Sequence, residues 1–82
     1  IADSEDPLVV SINKIGEIFL SEKQIVTENL TPKLKEIKKA NPKIKIFLKA
    51  DKNVSYQTLM LVMKEIVESN ITNISLMTNP EN

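Results

Sequence analysis

The 82-residue sequence predicts an α/β fold, a two-layer sandwich with the order β-β-α-β-α-β and both helices on one face of a mixed sheet. Three observations carry this expectation. "KIKIFLKA" alternates strictly, with Ile44, Ile46, Leu48 and Ala50 on one side and Lys43, Lys45, Phe47 and Lys49 on the other, which is the period of a half-buried strand. Leu59, Val62, Met63 and Ile66 recur at i, i+3, i+4 and i+7, the stripe of a helix laid on a core. Finally, the lysine side of the strand has no counter-charges to bury it, so one sheet face stays open and the helices share the other.

The elements follow in order. The opening "IADSEDP" is acidic and closed by Pro7, a linker expected over residues 1–7. "LVVSIN" places Leu8, Val10 and Ile12 on one face, and "EIFLS" follows across Gly16, the sole glycine. Gly16 supplies the positive φ of a tight connection, so the two segments form a hairpin. "KQIV" adds a short extended piece. Leu30, Leu34 and Ile37 then mark the first helix, with Pro32 in its first turn and Thr31 or a slightly earlier residue as its cap. Pro42 ends it at Asn41.

Beyond "KIKIFLKA", Ser55 is placed to cap the second helix, with Val54 and Leu59 at the positions of a hydrophobic staple. Asn70 fits a left-handed cap at its end. "NISLMT" makes a last strand, with Ile74, Leu76 and Thr78 on one face and Ser75 and Met77 on the other, and residues 79–82 form a tail. Met60 and Met63 read as core filling. Met77 shares the open face with Val9, Phe19 and Phe47, which with Lys43, Lys45 and Lys49 make either a docking patch or isolated exposed residues.

Composition narrows the function. The chain contains no cysteine and no histidine, which removes thiol nucleophiles, disulfides, Cys/His zinc sites and imidazole bases. No metal and no cofactor are expected. Eleven lysines balance eleven acids, but residues 1–32 carry a net −4, residues 33–52 a net +6 and residues 53–82 a net −2. Such a basic middle suits a phosphate-bearing partner, yet every basic residue is lysine, and bidentate recognition of bases or phosphates uses arginine. Solvated lysine faces explain it better, and no nucleic-acid partner is expected. Asp51, Lys52, Ser55 and Tyr56 could suggest acid–base chemistry. Asp51, Ser55 and Tyr56 read instead as a strand–helix joint: a turn-closing aspartate, a cap and a surface ring. No catalytic residue is assigned, and an enzyme is not expected.

The same joint carries a resemblance. "ADKNVSYQTLMLVMKEIVESNITNISLMT" is similar to the C-terminal signature of the ExbD/TolR family of biopolymer transport proteins. The matching features are the pair Ala50 and Asp51, then Val54 and Tyr56 about the helix start, Val62 and Met63 within it, and Ile74, Leu76 and Thr78 in the last strand. Val10 to Leu20 also fits the family's opening hairpin. "ADKNVSYQTLMLVM" resembles the ExbD branch, whereas "LMTNP" looks more like TolR, and Asn70 stands where relatives often have glycine. The resemblance implies the periplasmic domain (residues 8–78) of a single-pass inner-membrane protein, whose membrane helix with its proton-carrying aspartate would precede Ile1. It implies a homodimer within a ring of an ExbB- or TolQ-like protein, passing proton-driven motion to a TonB- or TolA-like segment. The last strand, Ile74, Ser75, Leu76, Met77 and Thr78, is the expected partner and dimer interface. The TolR-type alternative adds peptidoglycan contact through Lys43, Lys45 and Lys49. A soluble nucleic-acid-binding module using the same lysines and Phe47 is the alternative of another class.

Overall fold

The computed structural model describes residues 6–78. The linker and tail expected at 1–7 and 79–82 lie, but for Asp6 and Pro7, outside the described residues. Five strands, β1 (Leu8–Ile12), β2 (Ile18–Leu20), β3 (Lys23–Ile25), β4 (Ile46–Ala50) and β5 (Ile74–Thr78), accompany two helices, α1 (Leu30–Ala40) and α2 (Tyr56–Glu68). The sheet order is β3-β2-β1-β4-β5, with β1 parallel to β4, β4 parallel to β5, and the first three strands an antiparallel meander. The expected α/β sandwich is therefore present, with the "KQIV" piece promoted to a full edge strand.

One sheet face builds the core. Val10 and Ile12 of β1, Ile18 and Leu20 of β2, and Ile46, Leu48 and Ala50 of β4 are all buried beneath Leu30 and Leu34 of α1 and Val62 and Ile66 of α2. The period-two and period-3.6 patterns thus meet on one plane, as binary patterning requires. The hairpin turns as expected: Gly16 has φ +91° and donates to the Asn13 carbonyl at 3.0 Å. The Asn13 side chain holds the turn closed, accepting from the Ile15 and Glu17 amides and donating to the Glu17 carboxylate at 2.7 Å. The second connection, β2 to β3, bends through Ser21 and Glu22, both at positive φ.

The cap position of α1 falls at the slightly earlier of the two expected places. Thr31 does not cap it; a 3-10 turn (Thr27–Asn29) runs straight into the helix and Asn29 occupies the cap position without a side-chain bond. The cap comes from α2 instead. Thr31 donates its amide to Glu65 Oε1 at 3.2 Å, and its hydroxyl lies within bonding reach of both that oxygen and the Glu65 carbonyl. A helix start leaves four amides without intrahelical partners, and here each is accounted for. Asn29 donates to Val26, Leu30 to Thr27, Thr31 to Glu65, and Pro32 has no N–H to satisfy.

Strand β4 is shorter than the alternating pattern suggested. It starts at Ile46 rather than Lys43, because Pro42 opens a turn that Asn41 closes. The Asn41 carbonyl accepts from Ile44 at 3.0 Å and its side chain from the Lys43 amide at 3.3 Å. Lys43 therefore leaves the open face, Lys45 flanks the strand, and Lys49 alone of the three lies within it. Ser55 caps α2 as expected, accepting from the Thr58 amide at 3.1 Å. Asn70 follows its end at φ +68°, a conformation asparagine tolerates.

Candidate interaction edge

A parallel ladder alternates which residues of a strand turn their backbone groups toward a given neighbour. The Ile46 amide donates to the Asn73 carbonyl at 2.9 Å, with Ile46 paired to Ile74. It follows that Asn73, Ser75 and Met77 bond to β4, while Ile74, Leu76 and Thr78 turn their N–H and C=O groups to the outer side of the sheet. The edge strand thus presents regularly spaced donors and acceptors over its whole length.

Side chains on this edge are uncovered on both faces. Leu76 pairs with Leu48 and lies on the same face; Leu48 is fully buried, whereas Leu76 is 51 % exposed. The two helices therefore do not roof the outer half of β5, although Ile74 is partly buried and packs on the core. Met77, on the open face, is 46 % exposed, and Ser75 is exposed.

The opposite edge is built differently. β3 has three residues and carries Lys23 and Gln24 exposed, beside a turn whose two positive-φ residues bend the chain. Short length and edge lysines are devices that discourage strand addition. "ISLMT" has neither. The two sheet edges thus differ in length and charge.

The remaining residues singled out from the sequence fall into three places. Phe19 and Phe47 are on the open face, partly buried, in neighbouring rows. One row reads Gln24, Phe19, Ser11, Lys49, Met77 across the strands, and the next reads Val9, Phe47, Ser75. Lys43 and Lys45 instead line an open groove of about 380 Å³ with Lys38, Asn70 and Asn73, where the ends of α1 and α2 meet the start of β4 and β5. Lys38 donates from Nζ to the Asn70 carbonyl at 2.7 Å, a cation on an exposed carbonyl just past α2. Asp51, Ser55 and Tyr56 form the joint between β4 and α2: Asp51 accepts the Asn53 amide at 2.8 Å in a turn, and the Tyr56 ring lies at the surface. Among the described residues no group of three or more His, Cys, Asp or Glu could hold a metal, and no helix is long and apolar enough to cross a membrane.

One expectation is reversed. Met60 is not core filling; it is 39 % exposed, beside exposed Tyr56, Leu61 and Val67. Its i−3 and i+3 neighbours, Gln57 and Met63, straddle the boundary of the buried stripe, and spacing alone did not place that boundary.

The geometry described is that of a small α/β domain whose β5 edge carries uncharged and partly exposed side chains. Comparison with known proteins adds the family. Residues 1–81 match the family model described as biopolymer transport protein ExbD/TolR. A Pseudomonas aeruginosa protein named biopolymer transport protein ExbD is 32 % identical over 76 residues, which span 93 % of this chain and 57 % of that protein. The chain belongs to the ExbD/TolR family, a family of transport proteins, and spans little more than half the length of that relative.

Proposed function

We propose that this chain is the periplasmic, partner-binding part of an ExbD-type protein anchored in the inner membrane. In this reading a preceding membrane helix sits with a second copy inside an ExbB-like ring, and proton flow through that assembly moves the periplasmic domains. The domain dimerises and relays the motion to an extended segment of a TonB-like partner, serving outer-membrane transport. Family membership supports the coarse role, a part in proton-motive-force-linked envelope transport. The observation that carries the finer one is the β5 edge, with uncharged residues, half-exposed Leu76 and Met77, and outward backbone groups at every second position.

A Leu76→Pro change tests it sharply. Proline at this position removes an outward donor while the donors of Ser75 and Met77 to β4 remain, so the fold tolerates it as edge strands tolerate proline. In the intact protein, this variant loses self-association and capture of the partner's extended segment. A folded variant with unchanged dimer mass and unchanged partner binding refutes the assignment of this edge.

The groove among Lys38, Lys43 and Lys45 favours a second reading, a TolR-type domain that contacts the carboxylates of peptidoglycan. Co-sedimentation with purified peptidoglycan, lost on Lys43→Glu/Lys45→Glu, is the expected outcome; absence of pelleting by the unaltered protein sinks it. The nucleic-acid alternative gains nothing, since Lys43 has left the face and Phe19 and Phe47 are partly buried rather than offered as stacking platforms.

A further inference from the structure

Charge is most one-sided around the end of α1. From Lys33 to Lys45 the sequence carries six lysines and a single acid, Glu36. Leu34 of α1 is buried in the core, while Lys33, Lys35 and Lys39 are exposed on its outer side. The turn after Pro42 returns Lys43 and Lys45 to the end of the helix, where they share the groove with Lys38. Glu36 is taken up by Lys33 at 3.7 Å, and Lys38 by the Asn70 carbonyl. Among the described residues the other ion pair is Lys64–Glu68, which leaves Lys35, Lys39, Lys43 and Lys45 without a carboxylate partner there. The C-terminal carbonyls of α1 favour cations in the last turn, and Lys38 and Lys39 meet that need. Lys35, Lys43 and Lys45 lie outside that turn and ask for another explanation.

The position of the cluster supplies one. The Leu8 amide donates to the Lys45 carbonyl at 2.9 Å, and Leu8 pairs with Ile46 in a parallel ladder. The segment that precedes β1 therefore enters the sheet at the end where these lysines stand, and the β1–β2 hairpin with Lys14 lies at the other end. We propose that this lysine face docks on anionic phospholipid headgroups of the membrane that anchors the chain. The inference rests on the reading of a preceding membrane helix: a tether entering beside Lys45 holds this end, and not the hairpin end, toward the bilayer.

The chemistry of the face suits dispersed phosphates. A lysine ammonium is a point charge with three rotatable donors, so it follows a mobile phosphate without a fixed geometry. A fluid anionic surface asks for no more, and its potential reaches about one Debye length, ~8 Å at physiological ionic strength. Each lysine close to such a surface strengthens binding roughly five-fold. Among the described residues the exposed large apolar side chains, Tyr56, Leu61 and Val67 included, all fall outside residues 33–45. The contact therefore stays at headgroup level, with no insertion. Asp3, Glu5 and Asp6 of the entering segment carry the opposite charge. Attraction and repulsion at the same end make the docking reversible and sensitive to salt. Peptidoglycan carboxylates are the competing anion, and the test separates the two.

The sequence contains no cysteine, so a single label can be set where the argument needs it. In the intact protein, cleared of any other cysteine and reconstituted in vesicles, a fluorophore is attached at Ala40→Cys, at the exposed end of α1, or at Lys14→Cys in the hairpin. Quenching by a lipid with a quencher on its headgroup is read in phosphatidylcholine alone and with phosphatidylglycerol added. The Ala40 label is expected to be quenched at least about three-fold more with phosphatidylglycerol present, the excess vanishing in high salt, while the Lys14 label is unchanged. Lys35→Gln/Lys39→Gln/Lys43→Gln/Lys45→Gln, with circular dichroism unaltered, is expected to lose the excess. Equal quenching in the two lipids, an excess that resists salt, or one that survives the quadruple variant overturns the proposal and leaves the anchor reading standing. A chain stripped from the vesicles by carbonate overturns both. Quenching that falls on adding peptidoglycan and does not depend on phosphatidylglycerol gives the lysines to the second reading and overturns this one.

Discussion

Glu65→Ala removes a cap that one helix lends to another, and its effect can be worked out from the contacts. The carboxylate accepts the Thr31 amide at 3.2 Å in the first turn of α1. Losing a cap bond of this kind costs about 1 kcal/mol. Removing a negative charge from a helix N-terminus costs roughly 0.5 kcal/mol more at a partly exposed position. Alanine's better helix propensity returns a few tenths, leaving about 1 kcal/mol net. In a domain of this size that lowers Tm by about 4–8 °C. A urea melt should show a lower midpoint with an unchanged slope. Glu65→Gln, which keeps an acceptor but not the charge, should lose about half as much. A double-mutant cycle with Thr31→Val should give a coupling of at least about 0.5 kcal/mol, because the two residues share the hydroxyl contacts. A Glu65→Ala midpoint equal to that of the unaltered protein, or strictly additive effects in the cycle, would refute the argument that α2 caps α1.

Other changes act more locally. Ser55→Ala deletes the α2 cap and should cost about 1 kcal/mol in the same melt, whereas Ser55→Asp should be nearly neutral. Asn70→Gly should leave stability unchanged or raise it slightly, since φ is +68° there; Asn70→Val should cost about 1–2 kcal/mol, because branching at Cβ is hardest to fit in that region. Asp51→Ala should cost no more than about 1 kcal/mol, the loss of one turn contact to Asn53. A loss of several kcal/mol would show that the joint is a buried polar network.

Local rules made most of the architecture legible. Alternation located β1, β2, β4 and β5, and of the residues it assigned to the covered side of β1 and β4, Val10, Ile12, Ile46, Leu48 and Ala50 are buried while Leu8 and Ile44 are partly so. Gly16, Ser55 and Asn70 were readable because each answers a conformational demand met within a few residues. What escaped was non-local. The Glu65–Thr31 clamp joins positions 34 apart, and no period connects them. The exposure of Leu76 depends on strand order: its alternation matches that of buried Leu48, and only a place at the edge separates their fates. Lys43 was assigned to the strand because it continues the alternation, but the Pro42 turn had already claimed its backbone. Met60 shows the same limit on a helix, where the apolar stripe is wider than the surface available to cover it. That Ile74–Thr78 forms a strand was legible; that this strand lies at the edge of the sheet was not, because strand order is non-local.

The difference between the two sheet edges bears on how large an assembly can grow. If both β3 and β5 accepted strands, each copy could join the next head to tail, and the sheet would lengthen without limit into a fibre. On the proposed reading, Lys23, Gln24 and the positive-φ bend at Ser21 and Glu22 discourage addition on one side and leave β5 as the edge that takes a strand. Growth then stops at a pair, or at one copy holding one guest strand. In the proposed reading the two outcomes compete for the same edge, so a captured strand and a second copy would exclude each other there. An interface of that kind is a selector with two positions, and its state is open to change by anything that alters the supply of free strand.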